Sequence, residues 1–310
     1  MTTPLSLLRQ VRVKVPATSA NLGSGFDIFG LALKLYNTYT LTLTCEPGWS
    51  VSLPSDIDLP HDENNLVFRA AREVFLRLGV LPPNLHLAQE IDIPLDRGLG
   101  SSASAIVGGV VAANMLTGST LDSMTLLTIA TEIEGHPDNV TPALMGGMTL
   151  CYTAGAQHCY LALPIPQNVQ IVVVIPDFEV STSQARSVLP DQVSRSDVTF
   201  NGSRTALMVA ALYQKRYDLL AEAMDDRLHQ PYRAALVPGM TEAIAAGYAA
   251  NALGVALSGS GPSLIALTQH ETGAVAAALS DAFAGQGIAC ETRVLQPDTT
   301  GADGVETRRE

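Results

Sequence analysis

Lysine is scarce in this chain. Lys14, Lys34 and Lys215 are the only three, so fifteen of the 18 basic residues are arginines. Against them stand 30 acidic residues, for a formal net charge of −12. That balance argues against a broad basic face for nucleic acid and against a polybasic membrane contact. An anionic ligand must then be held by a few placed arginines, by backbone N–H groups or by a metal. Long apolar runs are missing too. No stretch of about 18 apolar residues occurs, so no transmembrane helix is expected. The first residues, MTTPLSLLRQVRVKV, lack a basic segment ahead of an apolar one, so no signal peptide is expected. Cysteine is sparse. Cys45, Cys151, Cys159 and Cys290 are scattered with no CxxC pair. Neither a disulfide framework nor a zinc site is indicated, and buried free thiols in a reducing, cytoplasmic setting are expected. Internal repeats and low-complexity tracts are absent.

What remains is 310 residues, 47% hydrophobic and 15% charged, enough for one large domain or two ordinary ones and too apolar for a disordered chain. Alternation predicts a strand over residues 10–16, a glycine-rich loop over 17–27 and a strand over 36–46. Apolar spacings of three and four predict a helix over 65–78, with Gly79 as C-cap. A strand over 85–93, a loop over 94–104 and helices over 105–116 and 121–133 follow. Residues 134–139 read as a polar turn and 147–152 as a strand. Pro164 and Pro166 break the pattern, and 171–175 is a continuous apolar strand. Beyond it, helices over about 202–226, 241–251 and 272–284, a hairpin around SGSGPS and a last strand near 288–295 give an α+β pattern. The expected division is a domain over 1–160, a second over 161–300 and a frayed tail over 301–310.

The most informative stretch is PLDRGLGSSAS, residues 94–104. Gly98 and Gly100 allow a tight turn, and Ser101 and Ser102 fall at the N-terminus of the coming helix. Free N–H groups and the positive end of a helix dipole there favour a phosphate, and the hydroxyls can reach a phosphate oxygen or Mg2+. A Walker A loop fails for want of its lysine. Gly98, Gly100 and Ala103 satisfy a dinucleotide fingerprint superficially, with Asp122 some 20 residues on, but no strand precedes Asp122. The blandest alternative is a helix cap with glycines for close contact.

These residues also resemble the second motif of the GHMP kinases, Pro-x3-Gly-Leu-Gly-Ser-Ser-Ala. VKVPATSANLGSGFD, residues 13–27, resembles the first motif of that family, and GVALSGSGPSLIAL, residues 254–267, resembles the third. The resemblance implies a two-domain α+β kinase fold. Its N-terminal domain would be like the second domain of a small-subunit ribosomal protein, and its C-terminal domain a ferredoxin-like α/β sandwich. It further implies ATP as phosphoryl donor, wrapped by Pro94, Leu95, Asp96, Arg97, Gly98, Leu99, Gly100, Ser101, Ser102, Ala103 and Ser104. Asn65, in ENNLV, falls in a segment similar to one that touches the base, though it could equally cap its helix.

Within that family NLGSGFD, EGHPDN, STSQARSVLP and HQPYRAALVPG are most similar to the homoserine kinase branch. The implied substrate is L-homoserine, a zwitterion with a free hydroxyl. Arginine offers a planar donor fork for a carboxylate, which suits Arg186 and Arg233. Asp27 would face the ammonium, Thr182 would lie beside the carboxylate, and Asn21, His136 and Asn139 would orient the hydroxyl. Taken singly, Arg186 could be a surface arginine, Arg233 could pair with Asp225 or Asp226, Asp27 could be a cap and His136 a turn residue. The resemblance implies Mg2+ held by Ser101 or Ser102 and a helix carboxylate, Glu132 being favoured over Glu134. Asp138 is a candidate general base beside Asn139. A homodimer is a further family expectation. Alternatives are a relative acting on mevalonate, shikimate or a sugar, or a nucleotide-binding regulator without turnover.

Overall fold

The computed structural model describes residues 9–155, 157–166 and 168–308. The chain opens with β1 (Arg9–Ala20), β2 (Phe29–Leu43), β3 (Trp49–Ser52), α1 (Leu66–Arg77) and β4 (Leu85–Ile91). Then come α2 (Ser101–Leu116), α3 (Ser123–Glu134), α4 (Pro137–Met145), β5 (Met148–Ala154) and β6 (Gln157–Leu163). The second half runs β7 (Gln170–Pro176), α5 (Thr182–Ser187), α6 (Arg195–Gln214), α7 (Leu220–Ala223), α8 (Gln230–Arg233) and α9 (Met240–Ala249). It continues with β8 (Gly254–Leu257), β9 (Leu264–Thr268), α10 (Thr272–Ala284), β10 (Cys290–Leu295) and β11 (Asp303–Arg308).

Two sheets organise these elements. One has the order β11-β1-β2-β4-β3, with β5 on the start of β2 and β6 beyond it; the other is β10-β7-β9-β8. The first sheet therefore runs on to Leu163, past the boundary expected at 160. Its core joins Val11, Val13, Tyr39 and Leu41 to Phe68 and Phe75 of α1 and to Ile106, Val107 and Val110 of α2. On β7, Ile171, Val173 and Ile175 join an apolar cluster with Leu22, Phe29, Leu31 and Leu99, which ties the two sheets together. Val172 and Val174 turn the other way, toward Leu257, Leu279 and Phe283. A strand buried on both faces reads as a continuous apolar run, which is why 171–175 has no alternation.

Three expectations change. The tail expected to fray over 301–310 contains β11, whose six residues pair antiparallel with Arg9 to Lys14. An edge strand with polar flanks carries no core signal in its sequence. β1 continues through Ala20, where a loop was expected, because a register shift between Pro16 and Ala17 lets it follow β2. The polar turn at 134–139 opens α4, with Pro137 at its first position. Proline is tolerated there because that N–H would have no helical partner anyway. Among the described cysteines Cys151 alone is buried, whereas Cys45 is exposed. No helix among the described residues is long and apolar enough to cross a membrane.

Candidate active site

The three glycine-rich loops of the sequence are woven together at the seam between the sheets. Thr18 N–H of β1 donates to Leu99 O at 3.0 Å. The Ser258 hydroxyl, at the β8–β9 turn, donates to Gly98 O at 2.7 Å, and Gly259 N–H donates to Ala20 O at 3.2 Å. Gly98 and Gly100 have φ of 73° and 72°, the left-handed region. A Cβ on Gly100 would meet Thr18 Oγ1 at 1.9 Å, and one on Gly98 would meet Ser258 O at 2.2 Å. The glycines are thus required twice over, by conformation and by close approach.

Beside this junction lies a cleft of about 680 Å³. One wall is the α2 N-terminus, where Gly100 is the N-cap and no side chain caps the first N–H groups. Such an end presents donors to an anion. Leu95, Asp96, Arg97, Gly98, Gly100, Ser101 and Ser102 line the cleft. Pro94, Leu99, Ala103 and Ser104 do not. Leu99 and Ala103 are core residues. The Ser104 hydroxyl is bonded to Tyr39 Oη at 2.7 Å. Asn65 both caps α1, accepting from Val67 N–H at 3.1 Å, and lines the cleft. Asp122 caps α3 through Thr125 N–H, a structural role that leaves the dinucleotide fingerprint without its acidic partner.

Glu132 is not in the cleft. Its carboxylate pairs with Arg77 at 2.7 Å, with both side chains about half exposed. Glu134 lines the cleft and accepts from Ser102 Oγ at 2.8 Å. Residues two apart on a helix project about 200° apart, so the two carboxylates cannot share a face. Burial pushes the Glu134 carboxyl above its ordinary range, although the Ser102 hydrogen bond opposes this.

The α4 N-terminus supplies the next group. Buried Asp138 accepts from His136 Nδ1 at 2.6 Å. Burial alone would lower the His136 pKa, but the hydrogen bond and charge of Asp138 outweigh it and the pKa is raised. Asn139 Oδ1 accepts from Thr18 Oγ1 at 2.7 Å, which fixes its amide.

At the far end, Asp27 and Arg186 form a two-bond ion pair at 2.7 and 3.2 Å. The sequence placed these two residues against opposite ends of a ligand; the structure joins them to each other. Asn21, with φ 71°, accepts from Asp27 N–H at 3.0 Å and donates to Gly259 O at 3.1 Å. Thr182 opens α5, the short helix that carries Arg186, and lines the same cleft. Arg233 does not pair with Asp225 or Asp226. It donates to Ala185 O and Gly259 O, both at 3.0 Å, and to His229. Burial and the charge of Arg186 pull the Arg233 guanidinium down to about 10. Thr18, His229 and Ser258 escaped the sequence reading, because each touches a neighbour of the cleft rather than lining it, and none carries a chemical signature of its own.

Two family profiles match the chain, the GHMP kinases N terminal domain over residues 65–147 and the GHMP kinases C terminal over residues 208–285. The homoserine kinase of Desulfitobacterium hafniense is 44% identical over 295 residues, covering 94% of this chain and 99% of that protein. That of Aquifex aeolicus is 47% identical over 258 residues, 83% of this chain and 86% of its own. Among solved structures, the homoserine kinase of Cytophaga hutchinsonii superposes with a TM-score of 0.87 at 31% identity, over 96% of this chain and 97% of its own. A mevalonate kinase at 14% identity and a TM-score of 0.69 shares the fold. With its three glycine-rich loops joined at one cleft and its length matched almost end to end by such relatives, the chain belongs to the GHMP kinase family.

Proposed function

We propose that the chain transfers the γ-phosphoryl group of ATP to the side-chain hydroxyl of L-homoserine, giving O-phospho-L-homoserine and ADP, a step of threonine biosynthesis in the cytoplasm. The observation that carries the reading is the cleft itself. An anion-receiving helix end forms one wall, and a carboxylate with two guanidinium groups, Asp27, Arg186 and Arg233, occupies the other end. A substrate with an ammonium and a carboxylate uses all three. Mevalonate, shikimate and sugars have no ammonium for Asp27.

Phosphoryl transfer depends on positioning and charge stabilisation, because its transition state is loose. The α2 N–H groups, the stretch from Leu95 to Gly98, and Gly100, Ser101 and Ser102 receive the phosphates, with Asn65 near the base. Asn139 has its Oδ1 held by Thr18 and one N–H directed at Asp138 Oδ1, so its other amide N–H is left to orient the hydroxyl oxygen. Asp138 is the candidate acceptor of the hydroxyl proton. Its Oδ1 is already engaged by His136 and, at 3.4 Å, by Asn139, so Oδ2 is the atom free to take it. Asn21 and His136 shape the space around that hydroxyl, and Thr182 stands beside Arg186.

A hard cation suits the donor set here. Glu134 is a partly buried carboxylate bonded to one hydroxyl and, among the described residues, to no cation, and Ser101 and Ser102 add oxygen donors beside it. Glu134 and the serine hydroxyls would hold Mg2+, in place of the Glu132 first favoured. When bound, Mg2+ neutralises charge on the β- and γ-phosphates.

A coupled ADP-release assay with ATP and Mg2+ over homoserine, mevalonate, shikimate and galactose tests the reading. Turnover with homoserine alone is expected. Turnover with mevalonate and none with homoserine would refute it, and ATP binding without turnover on any alcohol would indicate a regulator.

A further inference from the structure

Arg233 has five N–H donors, and the protein uses three. Nε donates to Ala185 O at 3.0 Å; Nη1 donates to Gly259 O at 3.0 Å and to His229 Nδ1 at 3.2 Å. Nη2 has no partner among the described residues, and the side chain lines the cleft. Which way Nη2 points is therefore set by what holds Nη1 and Nε. Two of those partners are carbonyls. The third is a side chain, and it is fully buried.

The bonding of His229 fixes its tautomer. Nε2 lies 2.9 Å from Gly23 O, and a carbonyl only accepts, so Nε2 carries the hydrogen. Nδ1 then presents a lone pair to Arg233. Arg233 Nη1 can only donate, so Nδ1 must accept; burial, which lowers the imidazole pKa, acts in the same direction. The ring stacks on Phe26 with centroids 5.2 Å apart, and Phe26 also underlies the Arg233 guanidinium at 5.3 Å. Asp226 fixes the backbone beneath. Its carboxylate accepts from His229 N–H at 2.9 Å and Gln230 N–H at 2.7 Å, ahead of the single turn that carries Arg233. Gly23 belongs to the loop that bears Asn21 and Asp27. His229 thus joins the loop holding one end of the proposed substrate to the helix holding the other.

We propose that His229, braced by Asp226, is a positioning residue for the amino-acid end of the substrate: as a neutral imidazole it accepts from Arg233 Nη1 and so aims Nη2 at the substrate carboxylate. This rests on the reading of the cleft as a homoserine site. Glutamine at 229 can keep a donor for Gly23 but loses the acceptor facing Arg233; asparagine can keep an acceptor near Nδ1. His229→Gln is expected to raise KM for homoserine about tenfold, the worth of a hydrogen bond to a charged group, with KM for ATP within about twofold. His229→Asn should stay within about threefold of wild type for both. In an Arg233→Ala background, His229→Gln should add nothing further to the homoserine KM, since the group it positions is gone.

Wild-type protein that is inactive with homoserine overturns the substrate reading and this proposal together. Wild-type activity with homoserine, combined with equal rises in both KM values, with asparagine no better than glutamine, or with additive effects in the double variant, overturns the proposal alone. Should His229→Gln fail to fold, His229→Asn decides by itself, because a tenfold rise in its homoserine KM contradicts the role.

Discussion

Exchanging Glu134 and Glu132 separately for glutamine distinguishes a carboxylate in the cleft from one beside it. Glu132 pairs with Arg77 where the two side chains are 52% and 46% exposed. An exposed pair of this kind contributes within about 0–1 kcal/mol. For a chain of this size that is a shift in Tm of at most about 4 °C, with kcat unchanged. Glu134 behaves oppositely. Its carboxyl pKa is raised by burial, so the folded state disfavours the ionised form. That penalty is absent below the unfolded pKa, near 4.3, and is fully present above the raised folded value. Glutamine has the same shape, keeps an acceptor for Ser102 Oγ and removes the charge. Glu134→Gln should therefore leave Tm at pH 7 unchanged or higher, and any gain should vanish at pH 3. Its kcat should fall by roughly 10²–10³, the usual loss when a group stabilising transition-state charge is removed, and the Mg2+ concentration for half-maximal rate should rise. Thermal melts at both pH values and ADP-release kinetics across a Mg2+ series measure all of this. An equal loss of kcat in Glu132→Gln, or Glu134→Gln retaining more than about a tenth of wild-type kcat, would refute the assignment.

Asp138→Asn removes the partner that raises His136, leaving burial to dominate, so the imidazole pKa should drop below its ordinary value in an NMR titration. If the same variant keeps nearly all of kcat, Asp138 is not the base. Gly98→Ala forces a left-handed residue at about 1–2 kcal/mol and sets a Cβ against Ser258 O, so Tm should fall by several degrees and KM for ATP should rise. Deleting residues 302–310 strips β11 from β1 and breaks the Arg9–Glu306 ion pair at 2.8 Å. An exposed β1 edge should then lower the denaturation midpoint and promote aggregation in light scattering.

Legibility in the sequence follows how local each determinant is. The α1 helix could be read because Val67, Ala70, Ala71, Val74 and Phe75 form one buried stripe with Asn65 as its cap. The GLGSSAS loop could be read because its conformational demand falls on two glycines and a helix start. The α4 helix could not, since Gly135 and Pro137 look like breakers until the chain is seen to start a helix between them. The choice between Glu132 and Glu134 depends on the phase of α3 against α2, a tertiary fact with no mark in the spacing. The Asp27–Arg186 pair spans 159 residues and likewise leaves no local trace. His229 lies within a stretch noticed for its arginine, yet its role is visible only once Gly23 and Arg233 are seen on its two ring nitrogens.

The poverty in lysine acquires a physical meaning at the cleft. A net charge of −12 repels anions at long range, but that field is screened beyond about 8–10 Å at ordinary ionic strength. At short range the donors at the two ends of the cleft differ in kind. The α2 end offers main-chain N–H groups, beside glycines where Thr18 and Ser258 leave no room for a Cβ. The other end offers guanidinium groups held in planar forks, Arg186 on Asp27 and Arg233 on two carbonyls and an imidazole. A lysine ammonium, a mobile point charge on a flexible stem, has no such fixed orientation. Burial, and then the charge of Arg186, lower the Arg233 guanidinium, and a carboxylate set between the two arginines offsets that repulsion. The local arrangement thus favours an anion that the whole chain repels.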